Sequence, residues 1–253
     1  MADSVWVAGL ADADPATMAA PRHTAVVRVT HWITTLCFFA LLVSGIEILI
    51  SHPRFYWGET GNVLTPALFD LPIPASRSTV PTGYDFVLSD QNGWSRYLHF
   101  EAAWLVVLTG ILYVVFGLST RHFRKNLLPA AADLSWRSLS TAIANHLRFK
   151  RPDEAEAWSY NALQRLTYLV VIFVMFPLVI WTGLAMSPAI AAVIPAAVTV
   201  FGGQQSARTI HFLISMFLVL FLLIHIGMVW LAGFRNRLRP MIPGRTDAER
   251  RRA

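Results

Sequence analysis

The chain of 253 residues has a single cysteine, Cys37, and it lies inside an apolar segment. With no second thiol it makes no intramolecular disulfide, CxxC metal site, thiolate-held iron–sulfur cluster or haem attached through CxxCH. Charge is also scarce: 14% of residues are Asp, Glu, Lys or Arg, against 55% hydrophobic ones. Soluble domains carry about 25% charged residues, so this composition belongs to an integral protein of a lipid bilayer. Residues 1–21 hold no Lys or Arg but do hold Asp3, Asp12 and Asp14. A secretory signal needs a basic start and an apolar core, so this stretch reads as a flexible tail. The formal net charge of +6 could suit nucleic acid. The basic residues are confined to particular loops, however, and no nucleic-acid partner is expected.

What is present is four long apolar runs, at about residues 28–50, 97–118, 163–186 and 209–231. Each is long enough to cross a bilayer. The expected fold is an all-α membrane protein: a four-transmembrane-helix bundle over residues 22–235, followed by a basic tail at 236–253. The loop at 51–96 carries turn signals from Pro53 to Gly93 but also Phe55, Tyr56, Trp57, Phe69, Tyr84, Phe86 and Trp94. Those aromatics argue for a compact cap on the membrane surface. Between spans two and three, Leu139, Ile143 and Leu147 recur at i, i+4 and i+8, with Trp136 one heptad before Ile143. That pattern predicts an amphipathic helix in the interface. Span three contains no histidine and is expected to kink at Pro177.

Of the 21 Lys and Arg residues, all but Arg54, Arg77, Arg96 and Arg208 fall on one side of this arrangement. Positive residues stay inside. Both termini and the interfacial helix are therefore expected to be cytoplasmic, and the long loop periplasmic, in a bacterial inner membrane.

From Thr209 to Leu231 the polar side chains are Thr209, His211, Ser215 and His225. Fourteen helical residues rise about 21 Å and turn to within about 40° of the starting direction. His211 and His225 thus share a face, one near each side of the bilayer. Ionisable groups inside a membrane are by default functional, and imidazole is a standard axial ligand of haem iron. His31 opens span one from the cytoplasmic side, and His99 opens span two from the periplasmic side. Depth then pairs His31 with His225 and His99 with His211. Each pair comes from two helices and could fill both axial positions of one haem. His23, His52, His122 and His146 lie in tails and loops and read as solvated, with His52 the one at ligand depth.

Three of the four candidate ligands have an arginine three residues earlier: Arg28, Arg96 and Arg208. Residues i and i+3 share a helix face, so each guanidinium could bind a haem propionate. Snorkelling to the headgroups is the alternative. Gly45 lies fourteen residues after His31 and Gly110 eleven after His99, each at the other pair's depth. A glycine there would let a porphyrin lie against backbone, or simply ease helix packing. Glu47 and Glu101, near the periplasmic ends, are either interfacial or part of a proton path.

One histidine on each of spans one and two, with two on span four separated by fourteen, resembles the di-haem b-type cytochrome subunits of nickel hydrogenases and formate dehydrogenases. The segments Arg28-Val-Thr-His31-Trp32 and Gly202-Gly203-Gln-Gln-Ser-Ala-Arg208-Thr-Ile-His211-Phe212 are most similar to the thiosulfate-reductase cytochrome b branch. The resemblance implies two non-covalent haems b and quinone exchange near the cytoplasmic haem. It also implies electron exchange with a periplasmic partner subunit, often a molybdopterin oxidoreductase. Polar candidates for the quinone are Arg28, Arg121 and His122 on the cytoplasmic side, and Glu47 and Glu101 on the other. Iron with two histidine ligands has no open position, so electron transfer is the expected work, and bond-making chemistry is limited to the quinone. Two other readings stand beside it. One is a haem-free scaffold or transporter whose histidines pack or relay protons. The other is a stand-alone haem protein using superoxide or quinone.

Overall fold

The computed structural model describes residues 24–62, 64–72, 91–129, 162–231, 233–234 and 241–242, with isolated positions at 135, 140, 144 and 238. The tail at 1–21, the interfacial helix expected around Leu139 and Ile143, and most of the basic tail lie outside these residues, as do His23 and His146.

Four helices are long and apolar enough to cross a membrane. The first, α1, is Ala25–Ser51, capped at its start by Thr24, whose hydroxyl accepts from Val27 N. The second, α2, is Gln91–Ser119. The third crossing is built in three pieces: α3, Ala162–Val170; a π-helical segment, Val171–Met175; and α4, Phe176–Ala185. After two short helices, α5 (Pro188–Val193) and α6 (Ala196–Thr199), the fourth crossing is α7, Gln204–Leu231.

The expected kink in span three is realised as that π segment. Pro177 has no N–H and its ring would collide with the carbonyl of Phe173 four residues back. Widening the turn to i→i+5 bonds over Val171–Met175 lets the helix pass the proline. α2 and α7 begin earlier than the apolar runs do, by several polar residues. Hydropathy marks the lipid slab, whereas the helices continue into the cap, where Gln204, Gln205 and Ser206 are helical. His31, His99 and His211 sit about two turns inside their helices.

α1 packs along α2, and α4 packs along α7, so the bundle is two helical hairpins face to face. Midway along, Cys37, Ala102 and Val106 pack with Phe176. Phe176 also joins Val171, Ile214, Leu218 and Phe38. This apolar partition lies between the level of His211 and that of His225. Large apolar side chains elsewhere on the spans are exposed, among them Leu36, Trp104, Leu108, Phe217 and Leu223, as lipid-facing surfaces require.

The start of the loop after α1 is a small ordered cap. Strands β1 (Arg54–Phe55) and β2 (Phe69–Asp70) pair antiparallel, Arg54 opposite Asp70 and Phe55 opposite Phe69. Phe55 is 2% exposed and stacks on Phe69 at 4.6 Å and against Phe212 of α7 at 4.5 Å between ring centroids. The Gly58 carbonyl accepts from Gln205 N and Ser206 N at 3.0 and 3.2 Å, satisfying two of the open N–H groups at the start of α7. Thr209 and Ser206 tie the segment after β1 down through Tyr56 O and Gly58 N, both at 2.7 Å. Gly203 has φ of +125°, and a Cβ there would stand 2.5 Å from the Gly58 carbonyl carbon, so only glycine allows this approach. At the opposite end, Trp32 Nε1 donates to Met241 O at 2.9 Å. The start of α1 and the beginning of the tail therefore meet on one side of the bundle.

Candidate haem-binding site

The four span histidines come together in two pairs, one near the cap and one near the tail. His99 of α2 and His211 of α7 have ring centroids 6.3 Å apart, with planes at 58°. His31 of α1 and His225 of α7 have centroids 6.4 Å apart, with planes at 51°. A metal–imidazole bond of about 2 Å plus about 1.15 Å from ring nitrogen to ring centre, doubled, gives about 6.3 Å for two imidazoles on opposite sides of one ion. Both pairs match that spacing. Among the described residues no group of three or more His, Cys, Asp or Glu is placed to hold a metal; each pair offers two imidazoles, a set that could fill the axial positions of haem iron.

The cap-side pair is held by neighbouring helices. Ser44 donates its hydroxyl to Ala40 O at 2.7 Å within α1, which leaves its oxygen to accept from His99 Nδ1 at 3.0 Å. Thr182 donates to Leu178 O at 2.9 Å within α4 and accepts from His211 Nδ1 at 3.0 Å. The Val179 carbonyl accepts from the same nitrogen at 3.0 Å. A proton on Nδ1 that donates to these acceptors leaves Nε2 with the lone pair a metal needs. Ser44 and Thr182 are fully buried. A glycine follows each, and a Cβ would lie 3.6 Å from His99 Cε1 at Gly45 and 3.4 Å from His211 Cε1 at Gly183.

The tail-side pair is set among aromatic rings. His225 stacks with Phe221 at 5.7 Å and meets Tyr168 at 6.4 Å; His31 meets Trp32 edge-on at 5.4 Å. Among the described residues His31 Nδ1 and Arg28 Nη1 are buried and have no hydrogen-bond partner. Such groups are costly unless something supplies an acceptor.

The three arginines divide. Arg28 keeps that open donor beside His31. Arg208 instead donates to His52 O and, at 3.1 Å, to Arg54 O, and lies 5.0 Å over the Phe55 ring. It pins the cap to α7. Arg96 is exposed on α2, and so is Glu101. Gly45 lies at the cap-side pair, in contact with the His99 imidazole rather than with open space. A Cβ at Gly110 meets nothing within 4 Å.

Two loop histidines differ from their expected solvation. His52 closes α1 with its N–H on Ile48 O and Leu49 O. Its pKa lies below the ordinary value, first because it is partly buried and then because Arg208 is near; the Ile48 carbonyl opposes this and Arg96 adds to it. His122 packs among Tyr113, Phe116 and Phe123, and burial lowers its pKa. Aromatic neighbours that sequence spacing does not reveal have drawn His122 in from solvent, and His52 is drawn in beside Arg208 and the Ile48 carbonyl. Sequence reasoning also passed over Ser44, Thr182 and Gly183. The repeated hydroxyl–glycine dipeptide on two spans was the available signal.

The sequence pattern of the prokaryotic cytochrome b561 family matches residues 22–244. The chain belongs to that family. Membership means a multi-pass membrane cytochrome b of the bacterial inner membrane, a class that binds haem b and carries electrons. The chain is 27% identical over 212 residues to a protein of Azospira oryzae with the provisional name protein-methionine-sulfoxide reductase subunit YedZ1. That alignment covers 82% of this chain and 89% of the relative. No solved structure matches significantly.

Proposed function

We propose that this cytochrome b holds two haems b, one between His99 and His211 and one between His31 and His225, and passes electrons between quinone and a periplasmic oxidoreductase. The single observation that carries the reading is the centroid spacing, 6.3 and 6.4 Å, in two pairs stacked along α7. Haem supplies a one-electron carrier at each level; the chain supplies axial nitrogen, an apolar surround and a partition of Phe38, Phe176 and Leu218 between the levels. Haem-free packing or proton relay would not by itself call for that spacing twice.

Lys and Arg distribution supports an orientation with the tail-side pair toward the cytoplasm. Quinone then belongs at the tail side, where Arg28 Nη1 and His31 Nδ1 are buried donors without acceptors. A quinone carbonyl is an acceptor, and its reduction consumes protons that a cytoplasmic opening can deliver. Electrons leave, or arrive, at the cap-side level for a partner docked over the 51–96 loop. The Azospira relative is named as a reductase subunit, which supports an oxidoreductase partner. A molybdopterin enzyme, as in the thiosulfate-reductase branch, is the chemical type that the resemblance favours.

The reading is tested by reduced-minus-oxidised spectra of the purified protein and four variants. The wild type should show two low-spin haems b per chain. His99→Ala and His211→Ala should each remove one component, and His31→Ala and His225→Ala the other. If His31→Ala and His211→Ala abolish the same component, the pairing is wrong.

A further inference from the structure

The cap-side hydrogen bonds are built twice, on separate hairpins, by the same local device. On α1 the acceptor for His99 is the hydroxyl of Ser44. On α4 the acceptors for His211 are the hydroxyl of Thr182 and the carbonyl three residues before it, Val179. In each case the hydroxyl proton is committed to its own helix, at Ala40 O or Leu178 O. The oxygen can then only accept. In each case the next residue is glycine, which lets the imidazole edge settle against the helix. The first helix of each hairpin thus holds the histidine of the second.

We infer that Ser44-Gly45 and Thr182-Gly183 are paired cradles that lock His99 and His211 in the Nδ1–H tautomer and in fixed ring orientations, and that Ser44 and Thr182 thereby tune the cap-side haem. The inference rests on the two-histidine reading of that pair. An acceptor on Nδ1–H makes the opposite nitrogen a stronger donor to metal. A stronger donor favours ferric over ferrous iron and lowers the potential of that haem alone. Neither cradle reaches the other level: its imidazoles sit among Phe221, Tyr168 and Trp32.

The test uses full-length protein with Ser44→Ala, Thr182→Val and the double variant. Haem content, a potentiometric titration and low-temperature electron paramagnetic resonance are recorded for each. Two haems per chain should remain, while the midpoint of one component rises and its low-spin signal shifts. The other component stays where it is. Ser44→Thr and Thr182→Ser, which keep the hydroxyl, should restore both readings. The inference is overturned if neither component moves, or if the component removed by His31→Ala is the one that moves. Haem loss in Ser44→Ala that Ser44→Thr does not rescue overturns it as well. His99→Ala separates the two levels of the argument. If it removes no component, the two-histidine reading has failed. If it removes one while Ser44→Ala and Thr182→Val change nothing, the cradles alone are refuted.

Discussion

At the cap end of the bundle, each imidazole is gripped through Nδ1 by a hydroxyl from the helix beside it, and His211 by the Val179 carbonyl as well. At the tail end, the same ring spacing is reached with aromatic contacts, and His31 Nδ1 is buried with no acceptor among the described residues. Spacing sets what can be bound, and the surrounding hydrogen bonds set how firmly the ligands are oriented. A site whose ring Nδ1 atoms are both hydrogen-bonded suits a fixed relay. A site that keeps two open donors, on His31 and Arg28, suits exchange with something that arrives and leaves. The arginines repeat the lesson, since the same three-residue offset from a histidine produces a structural clamp at Arg208 and an open donor at Arg28.

The largest effect that would sharpen this contrast is expected from Gly183→Leu. A Cβ there already stands 3.4 Å from His211 Cε1, at the edge of ordinary contact, and three further carbons have only the imidazole to displace. Overpacking a fixed site typically costs about 1–3 kcal/mol. Here the displaced group is the proposed ligand, so the cap-side haem component should be lost and the tail-side one retained. Separate quantification of the two components checks this. Loss of both in folded protein would mean that the two levels are not independent, and loss of neither would mean that Gly183 does not back the ligand.

The bundle was legible because four apolar runs and their loop charges are dictated by the bilayer itself. The histidine pairs were legible because rise per residue converts spacing into depth. Three things were hidden for physical reasons. Helix starts at Gln91 and Gln204 extend beyond the lipid slab, where hydropathy carries no signal. Serine and threonine in membrane helices usually bond back to their own turn, as Ser44 and Thr182 do, so their second contact shows only in three dimensions. The use of Arg208 depends on a loop folding back some 150 residues along the chain, to His52 O and Arg54 O, which no local pattern encodes.

A smaller effect should separate the two ends by rate. Replacing Arg28 with alanine removes a donor from the tail-side level without touching the cap. If quinone binds there, haem reduction by a quinol analogue should slow about tenfold, the scale of one hydrogen bond from a charged group. Glu101→Gln, on the exposed face of α2, should leave that rate unchanged. Stopped-flow reduction of variants shown to keep both haems makes the measurement. Slowing only in Glu101→Gln would move the quinone to the cap side and remove the proposed docking face with it.

The smallest effect concerns the cap's response to acid. His52 is partly buried beside Arg208, and its pKa in the folded cap lies below the ordinary value of 6.5. A histidine shifted this way contributes stability that is fully present above about pH 6.5. That contribution is lost as pH falls through 6.5 toward the lower folded value, because the unfolded imidazole takes up a proton that the folded cap disfavours. The cap should therefore open more readily at pH 5.5 than at pH 7.5, with Arg208 repelling the imidazolium that forms. Limited proteolysis in the 52–72 segment, read as the ratio of cleavage rates at the two pH values, reports that opening. His52→Gln cannot titrate and corrects for the protease's own pH dependence. A wild-type ratio above that of His52→Gln is expected. Equal ratios would mean that Arg208's bonds to His52 O and Arg54 O hold the cap whatever the charge on His52, and that the cap end is rigid in acid as well as at neutral pH.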